Sequence, residues 1–139
     1  MAGKRSIQPG GSRGTLFEAA ARARLEDAGI LLEQNRFSGA IYLAGYAIEC
    51  LLKWAVTQRR EVIYLPAELE VHDWEILLTE AGLRPKLTAH KALDRSFEEL
   101  AKIWGPELRY LVKPIKAEIA KELYGTLVGV YSWIQDNSL

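Results

Sequence analysis

Residues 40–56 read AIYLAGYAIECLLKWAV, an almost wholly apolar stretch whose only charged residues are Glu49 and Lys53. A helix made from this stretch is apolar around most of its circumference, which is typical of the most buried helix of a bundle. Its polar side chains recur at steps of four, three and four, which gathers them within roughly 60° of one another. We call this set the polar seam: Tyr42, Tyr46, Glu49 and Lys53.

The polar seam has two interpretations. In the structural one, Glu49 and Lys53 form an i,i+4 pair at the surface, worth about 0.3–0.5 kcal/mol, and the tyrosines extend their hydroxyls to solvent beside it. In the functional one, the seam contacts a ligand or a partner subunit.

Helical periodicity also marks the segments on either side, and no segment alternates for long enough to be a strand. Local signals set the expected helix ends: a Thr15–Glu18 capping box, Ser38 and Asp73 as N-caps, and Gly82 as a C-terminal residue. The first four expected helices are 15–34, 38–60, 74–81 and 93–104, and a fifth has Pro114 in its first turn. A second capping box at 96–99 would break the fourth helix and restart it. The sequence therefore predicts an all-α, up-and-down bundle of four to five helices at residues 15–139, after a flexible tail at 1–14.

Two glycines, Gly125 and Gly129, lie inside the last predicted helix with G-x-x-x-G spacing. Each costs about 1 kcal/mol relative to alanine in a helix. This cost predicts a compensating close approach of another helix, within the bundle or across a dimer.

Charge and composition exclude several classes of protein. The 18 basic and 18 acidic residues balance, so no global field gathers nucleic acid or an anionic membrane. Residues 84–121 hold nine Lys or Arg against five Asp or Glu, which we interpret as a solvated, mildly basic helix face. No apolar run reaches the roughly 20 residues of a membrane span, and no signal peptide is evident. The single cysteine, Cys50, suits a core residue in a reducing compartment, so we predict a cytoplasmic protein.

Motifs for catalysis are sparse. The two histidines lie eighteen residues apart, and nothing has the spacing of metal ligands. The sequence contains no phosphate-binding loop, dinucleotide-binding fingerprint or nucleophile elbow. We therefore expect no metal and no cofactor, and the residues alone give enzymatic activity no support.

Three segments carry a resemblance to a known family. Residues 37–53 (FSGAIYLAGYAIECLLK) resemble the second helix of HEPN domains, 72–83 (HDWEILLTEAGL) their H-D-L-x-x-L helix, and 104–110 (WGPELRY) the segment before their last helix. Together they extend over roughly residues 17 to 135. The resemblance implies an HEPN-like bundle that forms a homodimer and is often encoded beside a minimal nucleotidyltransferase in toxin–antitoxin or defence operons.

Many HEPN domains are metal-independent ribonucleases with an R-x(4–6)-H motif. By resemblance, Arg109 aligns with the motif arginine, but positions 114–116, where the histidine would fall, are Pro, Ile and Lys. Arg84 and His90 have the motif spacing but lie in the connection between the third and fourth predicted helices. His72 aligns with the H-D element, where capping or packing is its expected role.

The resemblance therefore favours a non-nuclease HEPN-type binding module, the partner of a nucleotidyltransferase, with a nucleotide as a candidate ligand and RNA retained as another. We place its ligand or partner contact on three residues of the polar seam and two that bundle packing brings near them: Tyr46, Glu49, Lys53, Arg109 and Tyr110. Lys53 and Arg109 would bind phosphate. Two alternatives remain open. One is a ribonuclease that uses Arg84 and His90, or Arg109 with His72, and the other is a passive dimerisation scaffold.

Overall fold

The polypeptide folds into an all-α bundle. The computed structural model describes residues 12–110 and 114–138, apart from the side chain of Arg109, and these residues form six α-helices and two short 3₁₀ turns. The predicted all-α helical bundle is confirmed, with six helices in the described residues where four to five are predicted. The elements in chain order are α1 (Gly14–Glu33), α2 (Phe37–Arg60), a 3₁₀ turn (Ala67–Leu69), α3 (Trp74–Glu80), α4 (Arg84–Ala89), α5 (Lys91–Ile103), a 3₁₀ turn (Pro106–Tyr110) and α6 (Ala117–Asn137).

Helix α2 is the centre of the bundle, as its apolar sequence predicts. It packs against α1, α3, α6 and the Pro106–Tyr110 turn, and every residue from Ala47 to Thr57 is buried. By length and composition α2 would also span a membrane, but 78% of its apolar window is covered by the rest of the protein. That burial is typical of a core helix.

Helix α1 does not begin with the predicted capping box. Gly14 is its first residue, and the N-cap, Arg13, makes no side-chain capping bond. The reason is a contact distant in sequence, since Arg13 pairs with Tyr64 in an antiparallel bridge and the Gly14 N–H donates to the Ile63 carbonyl at 2.9 Å. Residues 12–14, the end of the predicted tail at 1–14, are thereby hydrogen-bonded to the α2–α3 connection. The rest of that tail, residues 1–11, lies outside the described residues.

Helix α2 starts one residue before the predicted cap. Asn35 adopts a left-handed conformation with φ 61°, and the Arg36 N–H donates to the Leu31 carbonyl at 2.8 Å. The chain therefore reverses within three residues, and Arg36 rather than Ser38 takes the N-cap position. A connection this short makes α1 and α2 antiparallel.

The predicted ends of α3 are confirmed. The Asp73 carboxylate accepts a hydrogen bond from the Ile76 N–H at 3.0 Å, and Gly82 follows the helix with φ 75°. Helix α4 was not predicted, because it is only six residues long and Leu87 is its only buried residue. So short a helix shows no periodicity.

The last two helices differ from prediction in their ends. Helix α5 is continuous from Lys91 to Ile103, so the capping box at 96–99 does not restart it. Helix α6 begins at Ala117 rather than near Pro114, because Ile115 packs on the core and Lys116 is extended.

An added Cβ at Gly125 or Gly129 would meet nothing within 4 Å. The predicted close approach within the bundle is therefore wrong for the described residues, and an approach across a dimer stays a prediction.

Candidate functional site

The polar seam is buried at its charged end. The residue exposure is 1% for Glu49 and 6% for Lys53, and the Lys53 Nζ lies 2.9 Å from Glu49 Oε2. The interpretation as a surface ion pair is therefore wrong. The Lys53 ammonium also lies 5.5 Å from the centre of the Phe17 ring on α1, a cation–π distance that adds to its stabilisation.

A third group, His72, joins this pair from a different part of the chain. Its Nδ1 lies 3.0 Å from both carboxylate oxygens of Glu49. Because a carboxylate only accepts hydrogen bonds, Nδ1 carries the proton and donates, which leaves Nε2 for other contacts. We call Glu49, Lys53 and His72 the Glu49 cluster.

Local structure fixes His72 where it is. The next residue, Asp73, caps α3, so the start of that helix and the position of the imidazole are set together. The His72 side chain is 58% exposed even though its partner, Glu49, is buried. A buried carboxylate thus orients a surface histidine, an arrangement that holds an imidazole ready to bind a partner or to accept a proton.

Tyr46, in the tyrosine end of the seam, carries no charge at neutral pH. Electrostatic interaction with Cys50, then burial and a hydrogen bond with the same thiol, raises the pKa of Tyr46 to about 12. Burial raises the pKa of Cys50 to about 11, although the hydrogen bond from Tyr46 opposes the shift. Cys50 is thus a protonated core thiol of low reactivity, in agreement with its interpretation from sequence.

A row of aromatic rings connects the seam to α3 and to the residue that follows α5. The ring centres of Tyr42 and Trp104 lie 5.8 Å apart, and those of Trp104 and Trp74 lie 5.3 Å apart. The Trp104 indole N–H donates to the Tyr42 carbonyl at 3.1 Å. Gly45 makes this contact possible, since an added Cβ would fall within 3.0 Å of three atoms of the Trp104 indole.

His72, Trp74 and Trp104 also line a cleft of about 520 Å³ between the start of α3, the end of α5 and the Pro106–Tyr110 turn. We call it the His72 cleft. Its charged walls are mostly acidic: Asp73, Glu75, Glu98 and Glu107 against Lys102. The indole N–H of Trp74 is buried and has no hydrogen-bond partner among the described residues. The cleft therefore offers carboxylates and an imidazole, and it is unfavourable for an anion.

The structure places Arg84, one of the predicted ribonuclease candidates, in an ion-pair network. Its guanidinium donates to both oxygens of Glu75 at 3.1 Å and forms a second ion pair with Asp94. The hydrogen bond to Asp94 is the main cause that raises the pKa of Arg84. Arg84 would have to release these carboxylates to bind a phosphate, so the geometry does not favour Arg84 and His90 as a catalytic pair.

The other two predicted contact residues lie on the Pro106–Tyr110 turn. Tyr110 is 72% exposed, which suits a contact residue. The Arg109 side chain lies outside the described part of the chain, so its approach to the seam stays a prediction. The contact between His72 and Glu49 is not predictable from local spacing, because the two residues are 23 positions apart.

The described residues contain no group of three or more His, Cys, Asp or Glu side chains that could hold a metal ion. Comparison of the chain with known protein families, curated proteins and solved structures found no match.

Proposed function

We propose that this protein is a binding module of the HEPN type without nuclease activity, and that it pairs with a nucleotidyltransferase in a toxin–antitoxin or defence context. The family part of the proposal is based on the resemblance at residues 37–53, 72–83 and 104–110. The Glu49 cluster carries the functional part, because a 1% exposed carboxylate holds His72 at the mouth of a cleft.

Charge determines which contact this site favours. Lys53 is already paired with Glu49, so it would have to break this ion pair to bind a phosphate. Among the side chains that the structure describes, Glu98 and Glu107 make no ion pair, and both line the cleft. Exposed carboxylates beside a fixed imidazole fit a Lys- or Arg-bearing segment of a partner protein.

His72→Ala is expected to weaken binding of a nucleotidyltransferase encoded in a neighbouring reading frame by about tenfold, because the fixed imidazole is lost. Affinity would be measured by calorimetry on the purified pair. Glu107→Ala should also lower the affinity for the nucleotidyltransferase. Glu26→Ala, which removes an exposed carboxylate on α1, should leave that affinity unchanged. Equal affinity of the wild type and His72→Ala would contradict the proposal.

The hydrogen bond between Glu49 and His72 favours one rival, a ribonuclease in which His72 is the general base. A carboxylate-oriented imidazole at a cleft is the arrangement that such a base needs. RNA cleavage by the wild type that is lost in His72→Ala and kept in His90→Ala would establish this rival. If the wild type does not cleave RNA, the ribonuclease is excluded and the binding module remains.

We also propose a homodimer. Ile103, Tyr110 and Ile119 are large and at least 49% exposed, and exposed apolar groups usually mark an interface. The open faces of Gly125 and Gly129 would let a second copy approach closely. Light scattering after size exclusion should give twice the 15.6 kDa of one chain, and a monomer mass at micromolar concentration would contradict it. If the protein is a dimer that binds neither a partner nor a ligand, it is the passive dimerisation scaffold.

A further inference from the structure

Three basic residues line a part of the surface that the proposed function does not use. Two adjoining hollows, of about 540 and 290 Å³, share Lys86 of α4 and Asn137 of α6 in their walls. The larger is also lined by His90, Lys91 and Trp133, and the smaller by Arg59. We call the two together the Lys86 groove.

The charge of the Lys86 groove is of one sign. Among the described residues Arg59, Lys86 and Lys91 line it, no side-chain carboxylate does, and none of the three makes an ion pair. The nearby carboxylate of Glu80 forms an ion pair with Arg60, the residue that follows Arg59 on α2. Three uncompensated cations around a concave surface focus a positive potential, although the whole chain is neutral.

Local backbone structure shapes the groove. Gly82 has φ 75° and no side chain, and the Arg59 side chain occupies the space that a Cβ at Gly82 would need. At the end of α6 the Asn137 amide donates to the Trp133 carbonyl at 2.8 Å, and the Ser138 hydroxyl donates to the Ile134 carbonyl at 2.5 Å. These two hydrogen bonds hold the end of α6, which lines both hollows.

We infer that the Lys86 groove is a binding site for a phosphate ester that carries a planar base. Guanidinium and ammonium groups bind phosphate oxygens, and His90 adds a further polar contact. The half-buried Trp133 supplies an aromatic surface against which a base can stack. This chemistry is shared by free nucleotides and by single-stranded nucleic acid.

The test is calorimetric titration of the full chain with AMP, ribose 5-phosphate, inorganic phosphate and a short oligouridylate. AMP should bind more tightly than ribose 5-phosphate, because only AMP has a base to stack. Tighter binding of oligouridylate than of AMP would identify single-stranded nucleic acid as the source of the phosphate, and the reverse order a free nucleotide. Either order supports the inference.

Lys86→Ala should weaken the binding of AMP about tenfold, the loss expected for one charge-assisted contact. Lys86 is exposed, so the variant should fold, and Lys91→Ala gives a second measurement of the same groove. The matched control is Lys102→Ala, which removes an exposed lysine of the His72 cleft. The single variants Lys102→Ala and His72→Ala should each leave the affinity for AMP unchanged. Absence of binding by all four probes, or equal losses in Lys86→Ala and Lys102→Ala, would overturn the inference.

Discussion

Replacing Lys53 with alanine is expected to lower the free energy of unfolding by about 3–5 kcal/mol, because the substitution leaves the buried Glu49 charge without its cation. His72 remains as a partner, but its ring is largely exposed to solvent. Urea denaturation followed by circular dichroism would measure the change. The site is thus a structural element as well as a candidate contact, and a loss of binding in this variant must be read together with its stability.

Two comparisons isolate the effect of burial. Arg60, on the same helix as Lys53, pairs with Glu80 of α3, and both side chains are more than a third exposed. Arg60→Ala breaks this ion pair and should cost under about 1 kcal/mol. Glu49→Gln combined with Lys53→Met removes both charges and should cost much less than Lys53→Ala alone. If Lys53→Ala were no more damaging than Arg60→Ala, the Glu49 carboxylate would be hydrated in solution and the cluster would not be buried.

The helices were predictable because their signal is local. The apolar stretch at 40–56 shows which helix is central without reference to any other part of the chain. Helix ends were less predictable, since α1 starts at Gly14 only because Arg13 pairs with Tyr64, fifty-one positions away. A capping box is a preference of about 1 kcal/mol that such a tertiary contact overrides.

The candidate site was predictable only where one helix carries it. The seam was identified because all four residues lie on α2, but its burial depends on Phe17 of α1, and its third member depends on the position of His72 before α3. The basic excess at residues 84–121 was likewise interpreted as a solvated face. The groove becomes apparent only when Arg59, from the end of α2, is placed beside Lys86.

Gly45→Ala is expected to lower the free energy of unfolding by about 3 kcal/mol, at the upper end of what overpacking costs. The added methyl would meet the Trp104 indole, and the ring cannot move aside easily. Trp104 stacks between Tyr42 and Trp74 and donates a hydrogen bond to the Tyr42 carbonyl. The melting temperature and the urea midpoint should both fall, and the near-ultraviolet signal of the tryptophans should change.

Gly129→Ala is the matched control, because it makes the same chemical change in a helix where an added Cβ meets nothing within 4 Å. In a monomer it should stabilise the helix by up to about 1 kcal/mol, since alanine is the better helix former. If the exposed face of Gly129 is packed against a second copy, the same variant would instead lower the dimer mass seen by light scattering. Stabilisation by Gly45→Ala would contradict the close packing of Trp104 on α2, because a methyl fits at position 45 only if the indole lies elsewhere.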